Sequence, residues 1–161
     1  MAQLFIVRHG KRQGNDLVPD GLAQIEALGD AIRPHVLPVQ DGEAWKEPRS
    51  NIWLSSLALW VIKTTLALQV GGGNLVGARV LEADADLHEE QVVKATAFVA
   101  EFLAIHEVVV VVTHGVVTAK LPSALGEHLG IQGVHPSKTA LTYAQAVHID
   151  TVAKTWRYIK P

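Results

Sequence analysis

Cysteine is absent from this 161-residue chain. Its absence excludes disulfides, thiolate nucleophiles and cysteine-ligated metals, but it leaves the compartment open, with cytoplasmic as the default assignment. No run of about 20 apolar residues appears, so no segment reads as a membrane-spanning helix. The opening stretch MAQLFIVRHG is apolar only as far as Val7 and turns polar at Arg8. It lacks a small-residue cleavage site and is unlike a signal peptide. An excess of positive charge is missing too: 14 Lys and Arg face 16 Asp and Glu, a formal net charge of -2. No basic surface for nucleic acid or anionic membrane is therefore expected, and any bound anion must be held locally. Internal repeats and low-complexity segments are also lacking.

What is present is a composition that folds. Hydrophobic residues make up 48% and charged residues 19%, a balance that favours a buried core. The length fits a single domain over residues 1–161. Gln3 to Val7 is a short apolar run that ends at a glycine-containing turn, and it reads as a buried strand. Leu22, Ile25, Leu28 and Ile32 recur with a period near 3.6, which predicts an amphipathic helix from Asp20, stopped by Pro34. Pro34 to Arg49 reads as a surface connection. Ile52 to Leu54 is a second strand, and Ser55-Ser56 is placed to cap a helix over 57–70 that Gly71-Gly72-Gly73 closes.

Val76 to Leu81 is a third candidate strand, followed by a helix over 91–105 with Val92, Phe98, Val99 and Phe102 near one face. Five consecutive valines, Val108 to Val112, require a strand covered on both faces and hence a central place in a parallel sheet. A fourth helix over 116–129 tolerates Pro122 only with a break or kink. Thr139 to Val147 and Thr155 to Ile159 suit a terminal hairpin or edge pair. Strands alternating with helices predict an α/β fold: a three-layer sandwich whose mainly parallel central sheet is flanked by helices.

In open α/β sheets ligands bind beyond the carboxyl ends of strands. This chain puts a histidine followed by glycine at two such ends, His9-Gly10 and His114-Gly115. One histidine is ordinarily structural or solvated. Two independent strand-His-Gly junctions favour a shared pocket.

Phe5-Ile6-Val7-Arg8-His9-Gly10 with Asn15 resembles the signature of the histidine phosphatase superfamily, which includes the cofactor-dependent phosphoglycerate mutases. Gly21-Leu22-Ala23-Gln24 with Leu28-Gly29 is similar to that family's first helix. Ser55-Ser56 with Lys63-Thr64 is similar to its second motif, and Val111-Val112-Thr113-His114-Gly115 to its second histidine strand. In size the chain looks most like the small bacterial phosphohistidine phosphatases. The resemblance implies a metal-independent phosphatase, needing no cofactor, in which His9 takes the phosphoryl group. Its substrate would be a phosphorylated small molecule or a phosphoprotein.

These roles agree with the chemistry of the residue types. A neutral imidazole is a nucleophile at pH 7, and Arg8 and His114 can neutralise the equatorial oxygens of a transferring phosphoryl group. Asn15 either hydrogen-bonds the phosphate or braces the loop. The family's acid commonly lies in a Leu-x-Glu segment, which Leu87-His88-Glu89 matches. Glu90 and Glu82 offer alternative registers, and a solvated carboxylate is the plain alternative for all three.

One position departs from the pattern. The fifth place after Ser55, where the family carries an arginine, holds Trp60. An indole cannot make a bidentate charged contact, and losing such a donor costs roughly 3 kcal/mol of transition-state stabilisation. Lys63, one turn later, and Lys11 and Arg12 beside His9 are candidates to supply the charge, although exposed cations are usually just solvated. The competing functional class is accordingly a catalytically weakened or inactive module of the same fold that binds a phosphate ligand or a protein.

Overall fold

A computed structural model describes residues 2–37, 50–69, 72–82, 88–136 and 139–161. Most of the connection expected over 34–49 lies outside these residues, as does Leu87. A six-stranded sheet forms the middle layer, with strand order β5-β4-β6-β1-β7-β8. Strands β1 (Gln3–Arg8), β4 (Asn51–Ser55), β5 (Asn74–Gly77) and β6 (Val108–Thr113) run parallel. The hairpin of β7 (Ala146–Asp150) and β8 (Thr155–Ile159) extends the sheet antiparallel to β1. A short ribbon, β2 (Arg12–Gln13) with β3 (Asp16–Leu17), stands apart from it.

Strand alternation sends side chains to two cores. Phe5 and Val7 join Ile25, Leu28, Ile32 and Val36 of α1 (Pro19–Val36) and Val61 and Leu68 of α2 (Leu59–Leu68) on one face. Leu4 and Ile6 join Ala95 and Val99 of α3 (Glu89–Leu103) and Leu121 and Leu125 of α5 (Leu121–His128) on the other. The three-layer α/β sandwich is therefore as the sequence predicts. The valine strand is buried at every position, since helices cover both of its faces.

Several boundaries move. Pro34 lies inside α1, which runs on to Val36. Full burial of Val36 and the packing of the His35 ring edge-on to Phe5 at 5.2 Å offset the hydrogen bond that proline cannot make. Helix α2 starts at Leu59 with Ala58 as its N-cap residue, so neither serine caps it in the expected way. The third strand stops at Gly77, and Arg79–Leu81 winds into a single 3-10 turn. The helix after His114 is broken as Pro122 requires: α4 (Gly115–Thr118) ends, and α5 begins with the proline in its first turn.

Candidate active site

The parallel register of β1 and β6 pairs Arg8 with Thr113. The next residue on each strand is a histidine, so His9 and His114 leave the sheet side by side. Their ring centroids lie 5.6 Å apart at an interplanar angle of 72°. The His9 amide donates to the Thr113 carbonyl at 3.0 Å, which extends the pairing by one bond past the strand ends. Both residues are buried. The two histidines that the sequence nominates thus stand side by side at the carboxyl edge of the parallel strands.

His9 is fixed in one tautomer. Its Nδ1 lies 2.9 Å from the Gly10 carbonyl oxygen, and because a carbonyl only accepts, Nδ1 carries the proton and Nε2 keeps the lone pair. The Gly10 amide donates to Thr64 Oγ1 at 3.1 Å, and the Thr64 hydroxyl donates to the Trp60 carbonyl at 2.8 Å. The histidine loop is thereby tied to α2. Gly21 allows α1 to approach this loop: a Cβ there would fall 2.4 Å from the Lys11 carbonyl oxygen. His114 Nε2 is held by the Ser56 hydroxyl at 2.8 Å, so the serine motif serves the site.

Burial, opposed by the Gly10 hydrogen bond and assisted by the charges of Arg8 and Arg12, lowers the pKa of His9 below the ordinary imidazole value. Burial and the neighbouring His9, Arg12 and Arg8 push His114 down to about 4. Both rings are therefore neutral at pH 7.

The Arg8 guanidinium packs over the Tyr143 ring, with Cζ 4.2 Å from the centroid, and donates through Nη1 to the Leu141 carbonyl at 2.7 Å. Its Nε is buried and unpartnered. Gly115 lies against it, and a Cβ at that position would be 2.9 Å from Cζ.

Two aromatic rings complete the walls. Trp60 lies with its ring centroid 6.4 Å from that of His9 and 5.9 Å from that of His114, and Tyr143 lies 5.6 Å from His9. The extended run expected from Thr139 becomes regular strand only at Ala146. Before it, Thr142 to Gln145 form a turn closed by the Gln145 amide donating to the Thr142 carbonyl at 3.2 Å, with Ala144 at a φ of 55°. That turn presents Tyr143 to His9. No sequence pattern distinguishes it from the strand that follows.

Asn15 is exposed at the tip of the β2–β3 ribbon. Lys63 is taken up by an ion pair with Asp16, and Lys11 is exposed. Arg12 lies over the Trp60 ring, its Cζ 3.9 Å from the centroid. Glu89 and Glu90 are exposed at the start of α3, where Glu90 pairs with Lys94 at 2.7 Å. Glu82 follows Leu81, whose carbonyl accepts from the Thr113 hydroxyl at 2.6 Å. The backbone thus brings Glu82 toward the strand end that carries His114.

No protein-family model matches the chain, and no curated protein matches it in sequence. Solved structures do match in fold. The alpha-ribazole phosphatase from Shigella flexneri superposes with a TM-score of 0.63 at 15% identity, covering 98% of this chain and 95% of that one. A protein assigned as the phosphohistidine phosphatase SixA from Nakamurella multipartitia gives a TM-score of 0.61 at 21% identity over 92% of this chain and 83% of its own. The protein histidine phosphatase SixA complexed with tungstate gives 0.53 at 15% identity over 98% and 95%. The fold is the one that these phosphatases share. Within it, the similar structures include phosphohistidine phosphatases and alpha-ribazole phosphatases.

Proposed function

We propose that this protein is a metal-independent phosphohydrolase that works through a phosphohistidine at His9, on a phosphomonoester or a phosphohistidine substrate. The observation that carries the reading is the state of His9: a neutral ring whose Nδ1–H is bound to the Gly10 carbonyl, leaving Nε2 as a lone pair beside His114. In the first step Nε2 forms a bond to phosphorus while the bond from phosphorus to the leaving oxygen or nitrogen breaks. The leaving group takes a proton, from Glu82 or Glu89 where it is an alkoxide. An imidazole leaving group places less demand on that acid. In the second step water attacks phosphorus and returns a proton to the carboxylate that gave one, the P–N bond to His9 breaks, and inorganic phosphate is released.

Arg8 and His114 are the groups proposed to hold the phosphoryl oxygens. A phosphorylated small molecule and a phosphoprotein both fit this chemistry. The test is hydrolysis of a chromogenic phosphomonoester and of phosphohistidine in the presence of a chelator, comparing wild type with His9→Ala. Turnover that disappears in the variant supports the reading. Phosphate binding without turnover would favour the non-catalytic module that Trp60, in the place of an arginine, suggests.

A further inference from the structure

We propose that Arg12, seated on the indole of Trp60, is the second phosphate-binding guanidinium of this site and takes the place of the arginine that α2 lacks. The assignment rests on the reading of the His9 pocket as a phosphoryl site. Its basis is geometric. Trp60 occupies the first turn of α2, and its ring stands almost equidistant from the two histidines, at 6.4 and 5.9 Å between centroids. A side chain there lies beside both imidazoles, but an indole brings no positive charge to them.

The charge arrives from the other side. Arg12 lies over the indole with its Cζ 3.9 Å from the ring centroid, a cation–π arrangement that orients the guanidinium plane. Its Nη1 donates to the Gly14 carbonyl at 2.7 Å, which fixes one arm and leaves the rest of the fork without a hydrogen-bond partner among the described residues. The electrostatics agree, since the Arg12 charge depresses the pKa of both His9 and His114.

The other candidate cations are placed differently. Lys63 reaches Asp16 of β3. Since β3 is the partner of the strand carrying Arg12, that ion pair fastens the ribbon to α2, where Arg12 meets Trp60. Lys11 is exposed. Trp60 is then a positioning residue that acts through Arg12.

The experiment measures the affinity of the folded protein for inorganic phosphate and for orthovanadate by calorimetry. The proteins compared are wild type, Arg12→Ala, Trp60→Ala, Trp60→Phe, both alanine changes together, and Arg12→Ala combined with Trp60→Arg. Arg33→Ala is the control, because Arg33 is paired with Asp30 on the surface of α1. Arg12→Ala is expected to weaken binding tenfold or more, with the control within twofold of wild type. Trp60→Phe, which keeps a flat ring, should retain most of the affinity that Trp60→Ala loses. The two alanine changes together should be no worse than Arg12→Ala alone, because the indole acts only through the guanidinium. Restoring a guanidinium from α2 should recover binding.

Phosphate affinity within twofold of wild type in Arg12→Ala overturns the assignment, whatever the enzyme hydrolyses. Fully additive losses in the alanine pair overturn the positioning role of Trp60. Wild-type protein that binds phosphate but hydrolyses nothing defeats the hydrolase reading alone, and Arg12 is then judged by affinity. Failure of wild type to bind either anion overturns both.

Discussion

Gly115→Ala should separate stability from activity in this protein. Gly115 opens α4, where alanine is at least as good a helix former as glycine. The added Cβ, however, would lie 2.9 Å from Arg8 Cζ, 3.1 Å from Nε and 3.2 Å from Nη1. Ordinary contacts begin near 3.5 Å, so the guanidinium must retreat by roughly half an ångström. Its present position is bounded by the Leu141 carbonyl at 2.7 Å and the Tyr143 ring at 4.2 Å. A charged donor displaced by half an ångström from the transferring phosphoryl group costs about 1.4 kcal/mol, or roughly tenfold in rate. The fold itself should be spared, because what yields is the end of a flexible side chain. The assay pairs kcat/KM on a chromogenic phosphomonoester with the midpoint of thermal unfolding. A well-folded variant with wild-type kcat/KM would refute the claim that Arg8 must occupy this place, and a collapse of the fold would refute the claim that only the guanidinium moves.

Three further outcomes follow from the same geometry. The lowered pKa of His9 puts the acid limb of the kcat/KM profile below pH 6.5, and a rate that rises steadily into acid would contradict a neutral nucleophile. His148, buried beside Phe5, His35 and Arg157, is depressed to about 4 mainly by burial, so the unfolded chain binds its proton first as pH falls. Its contribution is fully present above pH 6.5 and is lost toward pH 4, by about 2 kcal/mol at pH 5. Urea unfolding of wild type and His148→Gln at pH 7 and pH 5 checks this, and an unchanged pH dependence in the variant would be inconsistent with it. Gly21→Ala forces a Cβ against the Lys11 carbonyl, which is backbone and cannot swing aside, so it should lower stability by about 1–3 kcal/mol. A thermal midpoint equal to wild type would show that α1 can shift freely.

The sequence by itself determined the layers and the strands that carry the histidines. Five buried valines in a row can only be an interior strand, and a 3.6 period beside Gly21 can only be a helix with one covered face, because these patterns are set by local geometry and the need to bury apolar surface. The same logic makes strand-His-Gly legible twice. Boundaries that depend on packing were not legible: Pro34 stays helical because Val36 and His35 find partners on Phe5, and the extended pattern from Thr139 yields to a turn over the site. Two contacts around His9 were likewise not legible. Tyr143 lies 134 positions away in the chain from His9, and Arg12 meets Trp60 only because the ribbon folds back onto α2. Residue type and spacing reveal which groups can do chemistry, whereas their distances and tautomers arise from contacts between segments remote in sequence, and these exist only once the sheet register and the helix packing have formed.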